Sequence, residues 1–572
     1  MPNRLAVTLA LSVLIVTGSP TRADMVAEAK CKEAKAKAAG KKAFALLKAH
    51  GKNTKMPSPA KLTADISKAE SKFTRAFVHA ESRGVCLTTG DAGTIEDKVN
   101  AFMADVIEEV SGITPTTTST TASTTMPVTT STSTTTLPPA ALERIADPVV
   151  LTGAMVFWLT GLAPGDVVAF RHDASGWTQI PVQVDERDVI NFDDVYNHVG
   201  SYGGGITVLD YTDAETFTGP DSDPTLDGDD EIVFMAKDAG DAATVSSEPP
   251  GVVPGSGVQV VITDPVGPGA GYAYLFERDG LLDPGAEQQY VDYQFNLLSG
   301  DYKTTYNIGS GTNPEDTTVT TDHYARHFSD RWIQDGLQIL TPPSTGADVL
   351  DRHKFLFDPG NCGRSEDTFS NGEGAFVISK SGPVRAIRSY VGANSGPLSQ
   401  RQHHYYERQE DITTFLRVHA IGGGMDFLDY SPAATGMTYR NNNNLAGVTI
   451  DGVPDSVTAG SVEWELVTGP QGSLIMVGVL ETDIAGLAPT SYYLDDATPP
   501  VTQCTGDAFA YGSSGSWIAQ GIPNTDPGNP PAYFLTTTRV IYYGAPGMTV
   551  ADAEKRKEWV ASPLFITASS WP

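Results

Sequence analysis

Basic and titratable side chains collect in one stretch of this chain, residues 374–432, against a strongly acidic background. The window 326–417 holds 11 of the 22 Lys and Arg residues that follow residue 112, and six of the ten His residues fall in 323–419. Such side chains supply the cation, base and acid that proton transfer next to a carboxylate requires. We therefore take this stretch as the candidate functional centre.

Elimination from a uronic acid is the chemistry that this set of residue types fits. An arginine fork holds a carboxylate at any pH and stabilises the enolate-like intermediate, while His or Tyr serves as base and acid. An arginine nearby also lowers the pKa of a tyrosine. The candidate catalytic residues are His403, His404, Tyr405, Tyr406 and Arg417. The candidate substrate-binding residues are Arg326, Arg331, Trp332, Arg352, His353, Arg401 and Arg408.

Strand alternation must position these side chains, because successive residues of a strand point to opposite faces of the sheet. It places Arg401, His403 and Tyr405 on one face and Gln402, His404 and Tyr406 on the other. The next strand turns Ile412, Thr414, Leu416 and Val418 to the core. A hairpin turn is expected at Gln409–Glu410. A functional site requires the two stretches 323–354 and 401–419 to converge on one concave face.

The same residues also have a purely structural interpretation. Tyr and His with one polar end are common on half-buried strands, and Arg often pairs with a local carboxylate. In that case the side chains hold the fold together and bind nothing.

The composition favours a mainly β protein of three to four domains, since 56 Gly and 38 Pro in 572 residues suit many short strands and turns. We expect a small all-α helical module at 24–112, a Thr/Ser/Pro-rich linker at 113–140, a β-sandwich at 141–285 and a large supersandwich-like body at 286–572. Residues 1–112 carry a net charge of +5 and residues 113–572 carry −35. The acidic body disfavours nucleic acid as a partner.

Residues 1–23 have the pattern of a secretory signal, with Arg4 before an apolar run and a small-residue cleavage site at 21–23. A secreted or cell-surface protein is therefore expected, with no transmembrane helix. The four cysteines then predict two disulfides, for which three pairings exist. We favour Cys31–Cys86 and Cys362–Cys504, because each pair stays on one side of the linker.

An acidic loop suggests a structural Ca²⁺ site. Its candidate ligands are Asp221, Asp223, Asp227 and Asp229. The spacing departs from the EF-hand pattern, so a solvated acidic turn is the alternative. Motifs for zinc, haem, nucleotide and serine-hydrolase chemistry are missing from the sequence.

The segment SGPVRA at 381–386, which leads into a strand and a Tyr/His-bearing hairpin, resembles the galactose-mutarotase-like β-supersandwich domains of polysaccharide lyases. The helical module resembles Cys-paired Lys/Ala modules of exported bacterial proteins. The first resemblance implies a sugar ligand. We therefore predict a secreted carbohydrate-active protein that acts on or binds an acidic polysaccharide or cell-surface glycan, with lyase-type β-elimination as the favoured reaction. A non-enzymatic adhesin or an architectural envelope protein is the alternative.

Overall fold

A computed structural model describes residues 142–571 with gaps at 197–205, 215, 217, 246, 300–313, 358–363, 372–374, 393–397 and 499–508, together with scattered positions between 31 and 99. The chain divides into two compact units, Met1–Ser133 and Thr134–Pro572. The predicted signal segment, the linker and the Cys362–Cys504 pair lie outside the described residues.

Apart from Cys86, the described residues of the N-terminal unit are helical, as the predicted all-α module requires. Phe73 and Phe77 are buried and pack with Ala38, as the apolar face of a helical pattern requires. The predicted disulfide Cys31–Cys86 is confirmed, with the two Cα atoms 5.6 Å apart. No helix among the described residues is long and apolar enough to cross a membrane.

The second unit is mainly β, as predicted. Its first strands in chain order are β1 (Pro148–Thr152), β2 (Val167–Asp173), β3 (Gly176–Ile180), β4 (Gln183–Asp185), β5 (Arg187–Asn191), β6 (Thr207–Tyr211), β7 (Glu231–Met235), β8 (Val258–Thr263) and β9 (Ala270–Glu277). Then follow β10 (Asp292–Gln294), β11 (Thr317–Thr320), β12 (Tyr324–Asp330), β13 (Ile333–Ile339), β14 (Leu350–Phe357), β15 (Ala375–Lys380), β16 (Ala386–Val391), β17 (Gln400–Tyr405) and β18 (Gln409–Phe415). The last are β19 (Gly424–Tyr430), β20 (Thr438–Asn441), β21 (Asn444–Thr449), β22 (Trp464–Gly469), β23 (Gly472–Thr482), β24 (Thr490–Asp496), β25 (Ala510–Ile518), β26 (Leu535–Gly544) and β27 (Phe565–Ser570).

Helices contribute little to this unit. The α-helices are α1 (Phe192–Val195), α2 (Glu366–Asn371) and α3 (Val550–Ala561), and the 3₁₀ turns are Gly153–Leu159, Pro164–Asp166, Ala236–Asp238 and Pro432–Ala434. A capping box starts α3, because Thr549 and Asp552 each bond the other's backbone N–H.

The front sandwich consists of a three-stranded sheet, β1-β7-β4, and a five-stranded sheet, β27-β8-β9-β2-β3. Alternating apolar residues such as Val149, Ile232, Val260 and Leu275 form one core between them. The last strand β27 pairs with β8, so the end of the chain returns to the front sandwich. The sequence-based domain prediction placed all of residues 286–572 in the large body, because the pairing of two strands far apart in the chain leaves no local sequence pattern.

The large body is built on a nine-stranded sheet, ordered β15-β16-β17-β18-β26-β23-β22-β20-β21. Two four-stranded sheets, β10-β11-β12-β13 and β14-β19-β25-β24, complete the body. Buried residues of β12 and β13, such as Tyr324 and Leu337, share a core with Ile412 and Ile541 of the large sheet. Phe355 and Phe357 of β14 share another core with Leu416.

The hairpin between β17 and β18 turns earlier than predicted. Tyr406 N–H donates to the Gln409 carbonyl at 2.8 Å, and Tyr405 lies opposite Glu410, so Glu407 and Arg408 form the turn. The predicted turn at Gln409–Glu410 is wrong, because the carboxylate of Glu410 is buried and forms an ion pair with Arg326 inside the body.

Candidate functional site

Strand β17 carries three of the predicted catalytic residues, His403, His404 and Tyr405, and Tyr406 follows it directly, with the alternation that the sequence indicates. His403 and Tyr405 point into the core and are fully buried. The His403 Nδ1 lies 3.0 Å from Glu410, and its Nε2 lies 3.0 Å from the Tyr390 hydroxyl. Burial lowers the pKa of His403 to about 4, against the opposing influence of Glu410. A catalytic role for this face stays a prediction, and neither side chain reaches solvent in this structure.

On the opposite face of β17, the side chains meet the front sandwich. The Nε2 of His404 lies 3.1 Å from the Tyr211 hydroxyl. Tyr406 is buried and its hydroxyl accepts a hydrogen bond from Arg385 at 3.3 Å. The Tyr211 hydroxyl donates to Glu231 of β7, and Tyr406 shares a buried cluster with Val233 and Met235 of the same strand. His404 and Tyr406 therefore help to join the large sheet to the front sandwich.

Most of the arginines in this basic stretch form ion pairs inside the body. In each of the following pairs, the carboxylate compensates the cost of taking the buried guanidinium out of water. The pairs are Arg326–Glu410 at 2.7 Å, Arg388–Glu315 at 2.7 Å, Arg385–Asp185 at 2.8 Å and Arg385–Glu231 at 2.7 Å. The structural interpretation of the sequence pattern therefore holds for these positions.

The other predicted binding residues, and the predicted catalytic residue Arg417, each have partners within the protein. Arg331 is buried and donates to the Phe369 carbonyl at 2.7 Å. Trp332 is buried in an aromatic cluster with Phe355. The other contacts are Arg352 with Asp367 at 2.9 Å, Arg408 with Glu407 at 3.7 Å, and Arg417 with the Leu398 carbonyl at 3.1 Å. Of these residues, Trp332 lies beside Arg401, whose guanidinium is 5.5 Å from the centre of the Trp332 ring.

One subset of the predicted residues does converge, around Asp426 of β19. His353 Nε2 lies 2.7 Å from Asp426 Oδ1, and Arg401 Nη2 lies 2.8 Å from Oδ2. Arg539 of β26 reaches Oδ1 at 3.1 Å and donates to the Asp426 carbonyl at 2.6 Å. Burial alone would raise the pKa of Asp426, but the two guanidinium groups and His353 hold it well below its usual range. Burial lowers the pKa of His353 to about 3, so its imidazole is neutral.

Glu465 of β22 is the second carboxyl group near this cluster. Its side chain is buried, and Oε1 accepts a hydrogen bond from the Tyr439 hydroxyl at 3.0 Å. Asn441 Nδ2 donates to the same hydroxyl at 2.9 Å, which leaves the tyrosine proton directed at Glu465. Burial raises the pKa of Glu465 to about 7, although Arg539 and Tyr439 oppose the shift and Asp426 adds to it. The site thus holds one ionised carboxylate and one carboxyl that titrates near neutrality.

Both carboxyl groups line a cleft between two sheets. We call it the inter-sheet cleft, and it encloses about 100 Å³. Its polar lining is Thr414, Asp426, Glu465, Ser516, Thr537, Thr538 and Arg539. The apolar walls include Phe355, Phe357, Met425, Leu480, Ile518 and Leu535. Gly478 lies opposite Arg539 on the neighbouring strand β23, and a Cβ added there would meet no atom within 4 Å. The cleft therefore stays open at its charged end because residue 478 has no side chain.

The acidic loop of the front sandwich is arranged as successive turns. Asp221 Oδ1 accepts from the Asp223 N–H at 2.7 Å, and Asp227 Oδ1 accepts from the Asp229 N–H at 3.1 Å. A hydrogen bond with Asp227, together with burial, raises the pKa of Asp229 to about 6. Among the residues that the structure describes, no group of three or more His, Cys, Asp or Glu side chains is placed to hold a metal ion. Ca²⁺ at this loop stays a prediction, and the described geometry gives it no support.

Sequence reasoning missed the three charged residues that line the cleft, Asp426, Glu465 and Arg539. Glu465 interrupts the apolar segment Trp464-Glu465-Leu466-Val467, and Asp426 stands between Met425 and Phe427, whereas Arg539 follows three threonines. Burying a charge within an apolar strand costs free energy unless the charge is paired or serves in a functional site. A charged residue inside an apolar strand was therefore the sequence signal that pointed to this site.

No protein-family model and no curated protein sequence matches this chain. Among solved structures, an α-mannosidase from Enterococcus faecalis V583 superposes with a TM-score of 0.33 at 9% identity, over 89% of this chain and 52% of that one. A glycosyl hydrolase family 38 protein from Enterococcus faecalis gives 0.33 at 8% identity, over 88% and 52%. A putative aldose 1-epimerase from Escherichia coli K12 gives 0.21 at 10% identity, over 44% and 100%. The chain spans about half the length of the two Enterococcus proteins, and superpositions this loose do not establish a shared fold.

Proposed function

We propose that this protein binds an anionic saccharide, such as a uronic-acid unit of a polysaccharide, in the inter-sheet cleft, and that Glu465 transfers the proton in a β-elimination. The observation that carries the proposal is the set of charged side chains at one end of the cleft. Arg401 and Arg539 face one ionised carboxylate, Asp426, while His353 is neutral. Below pH about 7 Glu465 is protonated, so an excess positive charge lies at the end of the cleft in a body that is otherwise strongly acidic.

A carboxylate of the ligand compensates this excess charge. Arg539 lines the cleft, and its guanidinium matches a carboxylate in geometry and charge. Holding the carboxylate there also stabilises the negative charge that develops on it when the adjacent ring carbon loses its proton.

Glu465 has the acidity that the proton transfer requires. A general base works best when its pKa lies near the working pH, and the pKa of Glu465 is about 7. Ionised Glu465 takes the proton from the ring carbon next to the carboxylate, the carbon–carbon double bond forms, and the carbon–oxygen bond to the neighbouring sugar breaks. The proton then passes to the leaving oxygen. Glu465 thereby takes the role that the sequence had assigned to His403 and Tyr405.

The lining of the cleft suits a sugar ring better than a compact inorganic anion. Phe355 and Phe357 offer apolar surface to the C–H faces of a ring. The hydroxyls of Ser516 and Thr538 offer hydrogen bonds to its hydroxyl groups. The signal-like residues 1–23 and the Thr-rich linker support a secreted or cell-surface location for such an activity.

The test is incubation of the mature protein with a panel of uronic-acid polysaccharides, while the ultraviolet absorbance of the unsaturated product is followed. Glu465→Gln should abolish product formation and retain binding, and Gly478→Leu should abolish both by filling the cleft. Gly228→Leu is the matched control, because Gly228 is exposed and a Cβ there meets only Ala154 at 3.9 Å. Binding that Gly478→Leu abolishes, without product on any polysaccharide, would refute the elimination and favour a binding protein. No binding and no product would refute the whole proposal.

A further inference from the structure

A second concavity lies at the seam between the front sandwich and the large sheet. We call it the seam groove, and it has a volume of about 640 Å³. Its walls are the 3₁₀ turn at Pro164–Asp166, strand β4, the loop 283–289 and the turn 380–383. It shares no lining residue with the inter-sheet cleft. Ligand sites are frequent at such seams, where two bodies leave a concave surface.

The walls of the seam groove are fixed before any ligand arrives. Val182 N–H donates to the Pro284 carbonyl at 2.9 Å, which ties the loop to the front sandwich. Tyr290 N–H donates to the Pro383 carbonyl at 2.8 Å, which ties the other end of the loop to the large body. Pro164, Pro284 and Pro383 all line the groove, and each proline ring fixes its own φ. A rigid site loses little conformational entropy on binding.

The loop that forms one wall holds a strained backbone. Ala286 and Glu287 have φ values of 51° and 57°, and they are the only non-glycine residues with positive φ in the described part of the chain. This left-handed conformation costs roughly 1 kcal/mol or more per residue, and it persists only where the surroundings impose it. Strain of this kind clusters at ligand sites, and here it sets the course of the wall that contains Glu287, Gln288 and Gln289.

The chemistry of the lining selects against anions. Lys380 is the one cation of the described lining, and its ammonium already bonds Asp185 at 2.7 Å and the Val184 carbonyl at 3.1 Å. Asp283 and Glu287 add negative charge to the groove. The polar lining otherwise consists of side-chain amides and a hydroxyl, namely Gln288, Gln289, Ser381 and Gln183. The Gln183 amide is already bonded to Asp185 and to the N–H groups of Val384 and Arg385, which leaves Gln288, Gln289 and Ser381 for a ligand. Carboxylates, amides and hydroxyls together match a ligand that presents many hydroxyl groups and no negative charge.

We propose that the seam groove is a second carbohydrate site, which binds a short neutral oligosaccharide and performs no chemistry. The proline-lined walls would contact the C–H faces of the sugar, and Glu287 and the glutamine amides would bond its hydroxyls. The inference goes beyond the proposed elimination and does not depend on it, because the two sites differ in position and in charge.

The test is calorimetric titration of the full mature chain with neutral gluco-, galacto- and manno-oligosaccharides of increasing length. Ser381→Trp should fill the groove. Glu287→Asn should remove the carboxylate but keep the backbone, since Asn tolerates the left-handed conformation. Each variant is expected to weaken binding roughly tenfold or more. Asp279→Asn, which changes an exposed carboxylate outside the groove, should leave the affinity unchanged.

The result for the cleft variants separates this site from the elimination site. Gly478→Leu and Glu465→Gln should leave the binding of neutral oligosaccharides intact even if the chain shows no lyase activity. Binding that is lost in Gly478→Leu, or that survives both Ser381→Trp and Glu287→Asn, would overturn the proposal. Binding of acidic saccharides or peptides, without any binding of neutral oligosaccharides, would also overturn the proposal.

Discussion

The protonation of Glu465 gives the sharpest prediction, because it tests the electrostatics of the cleft without a known substrate. Its pKa of about 7 lies above the ordinary value of 4.5 that applies in the unfolded chain. The folded protein therefore binds this proton more tightly than the unfolded chain does. The contribution to stability is greatest below pH 4.5 and is lost as the pH rises through 7.

The perturbation is Glu465→Gln, which resembles the protonated carboxyl in shape and still accepts the hydrogen bond from Tyr439. The pKa of Glu465 differs between the folded state, about 7, and the unfolded state, 4.5. At about 1.36 kcal/mol per pKa unit, the ionisation of Glu465 at high pH therefore lowers the free energy of unfolding by roughly 3 kcal/mol. Glutamine cannot ionise and avoids this cost. The free energy of unfolding of the variant, relative to wild type, should therefore rise by roughly 2–3 kcal/mol between pH of about 5 and about 8.

The assay is denaturant unfolding of both proteins at the two pH values, followed by tryptophan fluorescence of the body. Other buried acids, such as Asp411, whose pKa burial raises to about 7, titrate in both proteins and cancel in the comparison. Glu463→Gln is the control, since Glu463 is exposed and pairs with Lys557 at the surface. A Glu465→Gln variant whose relative stability does not change with pH would show that Glu465 is ionised throughout, and it would remove the basis for a base at this position.

Two further predictions concern the framework. Arg388→Met should destabilise the body by about 3–5 kcal/mol in denaturant unfolding, because it leaves the buried carboxylate of Glu315 unpaired. The double variant Arg388→Met/Glu315→Gln should recover a large part of that loss. Equal losses of stability in the single and the double variant would contradict the ion-pair account. Cys31→Ser should destabilise the N-terminal unit by about 4 kcal/mol, which is the chain-entropy value for a bridge that spans 55 residues. The unfolding of the body should stay unchanged. Calorimetric scans in which the unfolding transition of the N-terminal unit does not shift would refute this prediction.

Local rules of sequence predicted several features of this protein. Alternation along residues 401–406 fixed which side chains share a face, since the period of two is a property of the strand itself. The position of Cys31 and Cys86 on the same side of the linker predicted their pairing, and the bridge is present. The dominance of β-structure followed from the many short apolar runs between turn residues.

Only the tertiary structure decided which charges meet and which of them remain accessible. Glu410 of β18 pairs with Arg326 of β12, 84 residues away, because the sheet that holds β12 packs against the nine-stranded sheet. Arg539 of β26 bonds Asp426 of β19 across 113 residues, because the cleft brings β26 against β19. These pairings convert most of the conspicuous basic cluster into internal ion pairs and leave Asp426, Glu465 and Arg539 at the cleft. Local sequence cannot specify this choice, since the energy of a charge depends on the partner and the solvent that the whole fold brings to it.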